Sequence, residues 1–392
     1  MTISPERLVY LDNAATSWPK PPEVAAAMAD FMERTGANPG RSGHRLSIES
    51  ARIVFETRQL VAQFFNAPDP QRVVFGLNVT EALNLALHGL LRPGEHVITS
   101  GMEHNSMMRP LRLLEEQGVE VTVVHCSQQG CLDPGEVEAA IQANTVLLAI
   151  NHASNVTGTI LPVGEVGRIA RAHNLLLLTD EAQTAGAYPV DMQADHIDLL
   201  AFTGHKSLYG PMGTGGLIIG ERVDIQRMRP LKQGGTGSRS ERETQPEFAP
   251  DRYESGTPNA VGLAGLAASI RWLQTRGIEQ IRSHEVALCQ HLLEGLSALP
   301  GVTVYGPLDA EYQTAIASFT INHMLPSEVG LRLDDEFGIL CRVGLHCAPS
   351  AHCTLGTFPD GTLRFGLGAF NTHDDVDMAL HAIRQLAGEK TA

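Results

Sequence analysis

Short apolar runs alternate with amphipathic segments along most of this chain. The runs have the length of buried strands, and the segments between them place apolar residues at helical spacing. This alternation is typical of an α/β protein with a mostly parallel sheet. It predicts strands within residues 72–76, 95–100, 145–154, 175–181 and 215–220, and a long helix over 260–277.

Residues 233–258 interrupt this pattern. The segment reads "QGGTGSRSERETQPEFAPDRYESGTP" and is rich in Gly, Ser, Pro and charged residues. At this length it is either a surface linker or a functional loop. The chain after the long helix shows a mixed pattern of helices and strands. We predict three parts: an N-terminal segment 1–20, a large domain 21–262 and a small C-terminal α+β domain 263–392.

Net charge and cysteine content narrow the classes of function. The chain has 392 residues and a formal net charge of -15, which disfavours nucleic acid and anionic membrane surfaces as partners. No apolar run approaches the roughly 18 residues that a membrane helix needs, and the first residues do not resemble a signal peptide. Six cysteines are too few for a disulfide scaffold in a chain of this length. We therefore expect free thiols and a cytoplasmic location.

Four potential metal ligands lie close together in the stretch "RVGLHCAPSAHC". They are His346, Cys347, His352 and Cys353. Structural zinc sites space their paired ligands by about two to five residues, whereas each Cys here directly follows a His. Adjacent side chains point apart, so we expect no metal site. The alternative reading is a reactive thiolate.

Lys206 follows the apolar run "IDLLAF" directly, in "TGHKSLYG". Lysines are usually on the surface, but the carboxyl end of a parallel strand is where such sheets place ligands. A lysine that is partly desolvated there loses basicity and becomes a nucleophile for aldehydes. Thr203 and His205 are positioned to supply hydrogen-bond donors to a phosphate.

Asp180 ends a run of four leucines and is therefore expected to be buried. A buried carboxylate is costly unless it is paired. The protonated ring nitrogen of pyridoxal 5'-phosphate (PLP) is a suitable partner, and Gln183 is close enough in sequence to reach the same ligand. The alternatives for Asp180 are a helix N-cap and a salt bridge.

Three further polar residues follow predicted strands. Thr80 is expected to be the N-cap of a helix, where free backbone N–H groups bind phosphate. His104 and Asn155 follow strand ends in "SGMEHNS" and "NHASNVTGT". Each of the three is an ordinary loop or cap residue when taken alone.

The motifs together resemble the class V aminotransferase family of fold-type I PLP enzymes. The stretches "YLDNAAT", "SNVTGT", "DEAQ", "TGHK", "GTPN" and "RVGLHCA" occur in the family's order over nearly the whole chain. Within the family, the chain is similar to the cysteine desulfurase and selenocysteine lyase group. The resemblance implies an α/β fold with a mostly parallel central sheet and a smaller α+β C-terminal domain.

By this resemblance, Lys206 bonds covalently to PLP and is catalytic. Asp180 pairs with the pyridine nitrogen, Gln183 contacts the ring hydroxyl, and His104 stacks on the ring and relays protons. The phosphate is bound by Thr80, Thr203 and His205.

The resemblance also assigns a partner subunit and a substrate site. Thr257, in "GTPN", would reach the phosphate of the partner in a homodimer. Asn155 and Arg364 would bind the substrate carboxylate, a task for which a bidentate guanidinium is well suited. Without the resemblance, a surface salt bridge would be the preferred reading of Arg364.

Cys347 would be the sulfur acceptor on a loop that is mobile in the family. Arg342 and His346 would lower the pKa of its thiol if they point toward it. The family often reads "GHHCA" where this chain has Leu345. Cys341 is expected to lie on a strand, with its thiol packed in the core.

The implied reaction converts L-cysteine to L-alanine and leaves a persulfide on Cys347 for an acceptor protein. Other class V activities remain open: selenocysteine lyase, with L-selenocysteine as the substrate, C–S lyase and epimerase. A further alternative is a sulfur-delivery protein that is active mainly with a partner.

Overall fold

The computed structural model describes residues 8–40 and 42–388. Its strands are β1 Val9–Tyr10, β2 Val73–Gly76, β3 His96–Ser100, β4 Glu120–Val124, β5 Thr145–Asn151, β6 Leu176–Asp180, β7 Leu199–Thr203, β8 Gly215–Ile219, β9 Val302–Tyr305, β10 Ile316–Ile321, β11 Ile339–Leu340, β12 Arg342–Gly344 and β13 Thr362–Gly366. Its helices are α1 Pro22–Asp30, α2 Arg45–Phe64, α3 Val79–Leu90, α4 Asn105–Glu116, α5 Pro134–Ala139, α6 Val163–Ala172, α7 Ala260–Arg276, α8 Ile278–Ser297, α9 Pro326–Phe337, α10 Pro349–Leu355 and α11 His373–Gly388.

Seven strands form the central sheet, in the order β2-β8-β7-β6-β5-β3-β4. Only β8 runs antiparallel to its neighbours, so the predicted mostly parallel sheet is confirmed. The strands β3, β7 and β8 are buried along their whole length. Parallel sheets covered by helices on both faces require such continuous apolar runs, which is why the sequence pattern was readable.

A second, antiparallel sheet has the order β12-β13-β10-β9. Its core packs against α8, α9 and α11. The N-terminal strand β1 joins this part of the molecule, because Val9 pairs in parallel with Ile339 of β11. This mixed arrangement agrees with the expected C-terminal α+β region.

The N-cap of α3 is Asn78 and not Thr80, so that prediction is wrong. The Asn78 side chain accepts a hydrogen bond from the backbone N–H of Glu81, with an N···O distance of 3.0 Å. Asn78 has the extended backbone that a cap requires, whereas Thr80 already lies in the first turn. Thr80 nevertheless stays at the N-terminal end of the helix.

Residues 233–258 contain turns and bends but no helix or strand. The segment is nonetheless fixed to α2 and the central sheet. Glu254 forms an ion pair with the buried Arg58 of α2 at 2.7 Å and accepts from the backbone N–H of Phe75 in β2 at 2.7 Å, and Tyr253 is buried. After it, α7 runs across the predicted boundary at residue 262 and packs against α1 and α2. The division into three parts stays a prediction, and part of the segment 1–20 lies outside the described residues.

Among the described residues, every helix is too short or too polar to cross a membrane.

Candidate active site

The predicted site residues follow the carboxyl ends of neighbouring strands. Asp180 ends β6 and lies in register with Asn151 at the end of β5. Lys206 comes three residues after β7, and His104 comes four residues after β3. Since these strands are parallel, their ends meet at one edge of the sheet, where open α/β folds bind ligands.

Lys206 lies partly buried at this edge, and burial lowers the pKa of its amine to about 8. The charge of Asp180 opposes this shift, whereas the two guanidinium groups of Arg364 and Arg342 add to it. A larger fraction of the amine is therefore neutral near pH 7, as a nucleophile for an aldehyde requires. The backbone carbonyl of Lys206 is fixed by the Ser17 hydroxyl, which donates at 2.7 Å.

Asp180 is only 4% exposed, and burial raises its pKa to about 6. Its Oδ1 accepts from the backbone N–H of Ala182 at 2.9 Å. This single backbone bond leaves the carboxylate suited to a cationic partner such as a protonated ring nitrogen. Gln183 is buried nearby and donates from Nε2 to the carbonyl oxygen of Ala14 at 3.1 Å.

Two residues just before Lys206 each have a buried polar atom without a hydrogen-bond partner in the described chain. These atoms are Oγ1 of Thr203 and Nδ1 of His205. Burial lowers the pKa of His205 to about 4, so the ring is neutral. Unsatisfied buried groups are costly, and both atoms belong to residues predicted to bind a phosphate. Thr203 and His205 therefore have free hydrogen-bonding groups of the kind that the phosphate of PLP requires.

Thr80, His104 and Cys347 line one cavity of about 360 Å³. His104 caps α4, because its Nδ1 accepts from the backbone N–H of Ser106 at 3.0 Å. That bond requires an unprotonated Nδ1, which leaves the proton on Nε2. Burial lowers the pKa of His104 to about 4, so the ring is neutral.

Thr257 lines a different cavity, of about 440 Å³. Its hydroxyl accepts from Nδ2 of Asn38 at 3.4 Å. The structure of the single chain thus places Thr257 apart from the cavity that His104 and Cys347 share.

Arg364 is buried on β13 and is 1% exposed. It donates from Nη1 to the carbonyl of Asn155 at 2.8 Å and from Nη2 to Oδ1 of Asp12 at 3.0 Å. Its Nε is buried without a partner in the described chain, as is Oδ1 of Asn155. Asp12 was not predicted, although it lies in the "YLDNAAT" motif.

Cys347 is exposed, and its Sγ lies 3.6 Å from Nη2 of Arg342. Arg342 is the register partner of Arg364 across β12 and β13, which brings the thiol toward the guanidinium pair. The ring of His346 is buried and contacts Nε2 of His352 at 3.3 Å instead of the thiol. The loop backbone is also fixed, because the Cys347 carbonyl accepts from the N–H of Asn105 at 2.8 Å.

The other cysteines of this region differ from Cys347. Cys341 packs against the core of the four-stranded sheet, and burial raises its pKa to about 12. Cys353 is exposed on α10. Within residues 8–40 and 42–388, no three His, Cys, Asp or Glu side chains are arranged to hold a metal ion.

The sheet and the buried Asp–Lys pair at its edge define a fold-type I enzyme. The chain belongs to the Aminotransferase class-V family, whose model matches residues 9–379. Enzymes of this family depend on PLP.

Named relatives cover nearly the whole chain. A protein of Methanothermobacter thermautotrophicus described as a probable cysteine desulfurase is 37% identical over 97% of this chain and 95% of its own. The apo cysteine desulfurase of Thermococcus onnurineus has a TM-score of 0.90 at 33% identity, over 97% of this chain and 94% of that one. The Escherichia coli cysteine desulfurase CsdA, solved as an S-sulfonic acid, has a TM-score of 0.85 at 30% identity. The match covers 96% of this chain and 94% of that one.

Proposed function

We propose that this protein is a PLP-dependent cysteine desulfurase that transfers the sulfur of L-cysteine to Cys347. Family membership and the similarity to named cysteine desulfurases support the reaction class. The observation that carries the proposal is the cavity that Cys347 shares with His104, at the edge of the sheet where Lys206 and Asp180 meet. A thiol in that place can reach a substrate bound at Lys206.

The cofactor is held by the residues described above. Lys206 would bond to it, Asp180 would pair with its ring nitrogen, Gln183 would contact the ring hydroxyl, and His104 would cover the ring. Thr80, Thr203 and His205 would bind the phosphate. Bound PLP would supply an electron sink that weakens the Cα–H bond of the substrate.

Arg364 and Asn155 bind the substrate carboxylate. The unpartnered Nε–H of Arg364 is a free donor for this carboxylate. The Nδ2 of Asn155 donates to the carbonyl of His346 at 2.7 Å, so Asn155 binds the carboxylate by turning this donor toward it. Asp12 keeps the guanidinium in place, since it accepts from Nη2 at 3.0 Å. A fixed guanidinium loses little side-chain entropy when it binds a carboxylate.

Lys206 accepts the Cα proton, because its lowered pKa raises the fraction of its amine that is neutral. His104 presents the Nε2–H and relays a proton to the substrate. The Cys347 thiolate attacks the substrate sulfur: an S–S bond forms and the Cβ–S bond breaks with its electron pair on carbon. Protonation of Cβ and return of the proton from Lys206 to Cα then give L-alanine. Atoms balance as L-cysteine plus thiol to L-alanine plus persulfide.

The exposed Cys347 passes its sulfur to an acceptor protein. Thr257 contacts the phosphate of the partner in a homodimer, which is supported by the exposed apolar side chains of Phe55, Leu77 and Phe248 around it. Mass measurement in solution should therefore give twice the chain mass of 42.2 kDa. The six free cysteines support a reducing, cytoplasmic location.

Product analysis tests the proposal. The purified holoenzyme is incubated with L-cysteine, and alanine and protein-bound persulfide are counted in the first turnover. Equal amounts of the two are expected. Pyruvate and ammonia instead of alanine would indicate a C–S lyase, D-cysteine would indicate an epimerase, and alanine from L-selenocysteine alone would indicate a selenocysteine lyase.

A further inference from the structure

Two consecutive non-glycine residues adopt left-handed backbone conformations at the reactive thiol. His346 has φ +50° and Cys347 has φ +58°. Side chains with a Cβ rarely adopt this region, and such conformations persist only where surrounding contacts enforce them. The contacts that enforce them here therefore also decide where the Cys347 thiol lies.

Two buried imidazoles form a hydrogen-bonded chain behind this loop. Nε2 of His346 lies 3.5 Å from the carbonyl oxygen of Arg342, and its Nδ1 lies 3.3 Å from Nε2 of His352. Nδ1 of His352 lies 2.7 Å from the hydroxyl of Thr357. The two rings stack with centroids 5.5 Å apart, and both are at most 2% exposed.

The Arg342 carbonyl at one end of this row of hydrogen bonds determines which nitrogen of each imidazole carries the proton. A carbonyl oxygen only accepts, so His346 donates from Nε2 and has an unprotonated Nδ1. His352 must then donate from Nε2 to that nitrogen, and its own Nδ1 accepts from the Thr357 hydroxyl. All three bonds are satisfied only when both rings are neutral, and burial lowers the pKa of both.

Further contacts connect the two hydrogen-bonded imidazoles to Cys347. The carbonyl of His346 accepts from Nδ2 of Asn155 at 2.7 Å, next to the Arg364 clamp. His352 itself is held by α10, whose Ala351 and Leu355 pack with Met102, two residues after β3. The imidazole chain is thus the link between a packed helix and the strained pair that ends at the thiol.

We propose that His346 and His352 are positioning residues that hold Cys347 beside Arg342 and in the cavity that it shares with His104. The inference rests on the proposed role of Cys347. His352 touches neither substrate nor cofactor; it acts through His346 on the backbone of the loop.

The test compares His352→Phe with His352→Gln. Phe fills the space but removes both hydrogen bonds, whereas Gln can donate to His346 and accept from Thr357 and so should rescue. In His352→Phe, kcat with L-cysteine is expected to fall by roughly 10²-fold, the effect of a small misplacement of a reacting group. KM and the visible absorbance of the cofactor should stay at wild-type values. His381→Phe, on the exposed face of α11, is the matched control.

The second readout is alkylation of Cys347 by iodoacetamide, followed on its tryptic peptide. It is expected to slow by about threefold or more in His352→Phe, because the thiolate loses the guanidinium beside it. Unchanged kcat and alkylation in that variant, or a Gln variant as impaired as the Phe variant, would overturn the proposal. If His352→Phe does not fold, Thr357→Val takes its place, since it removes only the hydroxyl that His352 accepts from. If the wild type makes no alanine from cysteine, the proposed function fails, while the alkylation rates still decide the positioning role.

Discussion

At the scale of single residues, the site depends on groups whose pKa burial has shifted toward neutral pH. Lys206 is the clearest case, because desolvation lowers the pKa of its amine to about 8. The pKa of Asp180 shifts in the other direction, because burial raises it to about 6. Perturbed groups that cluster at the end of a sheet are typical of functional sites.

Lys206→Ala should abolish both the covalent link to PLP and turnover. The substitution removes the amine that is proposed to bond to PLP, so the visible absorbance of the lysine-bound cofactor should disappear and no alanine should form. Absorbance spectra before and after dialysis, together with an alanine assay, measure this. Full activity in the variant would contradict the assignment of PLP to this lysine.

Arg364→Ala should weaken substrate binding. Hydrogen bonds to charged groups contribute about 1.5–3 kcal/mol, so KM for L-cysteine should rise by roughly tenfold or more, at ~1.4 kcal/mol per decade. Steady-state kinetics on a folded, PLP-loaded variant measure it. Unchanged KM and kcat would refute the carboxylate clamp.

The pairing of Asp12 with Arg364 shows why part of the site could not be predicted. The two residues are 352 positions apart in sequence. They meet because Asp12 bridges to Gly366 at the end of β13, a tertiary contact that leaves no periodic signal. Lys206 and Asp180, in contrast, each follow a strand that is visible in the sequence, so their location was predictable.

At the scale of elements, the strands β2, β3, β5, β6 and β8 of the central sheet were predicted because burial leaves a readable apolar run. The cap of α3 was assigned incorrectly because Asn78 and Thr80 are both good cap residues and only the backbone conformation distinguishes them. The loop between β12 and α10 posed a similar ambiguity. The loop and α10 together contain two His and two Cys, but the fold turns the two rings inward and leaves the thiols of Cys347 and Cys353 exposed.

Replacing Cys347 and replacing Cys353 should give opposite results. Cys347→Ala should still bind PLP and L-cysteine but release no sulfur, since the acceptor is gone while the cofactor chemistry is intact. Cys353→Ala should keep most of its activity. A zinc knuckle would instead make both variants unstable, because structural zinc contributes to folding. Sulfide and alanine assays, thermal unfolding and metal analysis distinguish these cases, and zinc at one per chain would defeat the persulfide reading.

At the scale of the whole molecule, two sets of buried groups make stability depend on pH in opposite directions. Burial lowers the pKa of His352 to about 4, so its contribution to stability is lost as pH falls from about 6.5, its unfolded value, toward 4. Burial raises the pKa of Glu103 to about 8, so its contribution is full below about 4.5 and is lost as pH rises through 8. Wild-type stability against pH therefore reports only their sum.

Glu103→Gln should isolate one of these contributions. Glu103 is fully buried, and its Oε1 accepts from the Ser100 hydroxyl at 2.6 Å and from the backbone N–H of Asn151 at 3.0 Å. Gln keeps both acceptor bonds and does not titrate. Between pH 5 and 8, the variant should therefore gain stability relative to the wild type by up to roughly 1 kcal/mol per pH unit. Urea unfolding across that range measures the difference, and His352→Gln should show its difference at the acid end instead, where the wild type loses stability and the variant does not. Parallel curves for Glu103→Gln and the wild type would mean that Glu103 is ionised in the folded protein, and that the carboxyl group carries a charge beside Asp180.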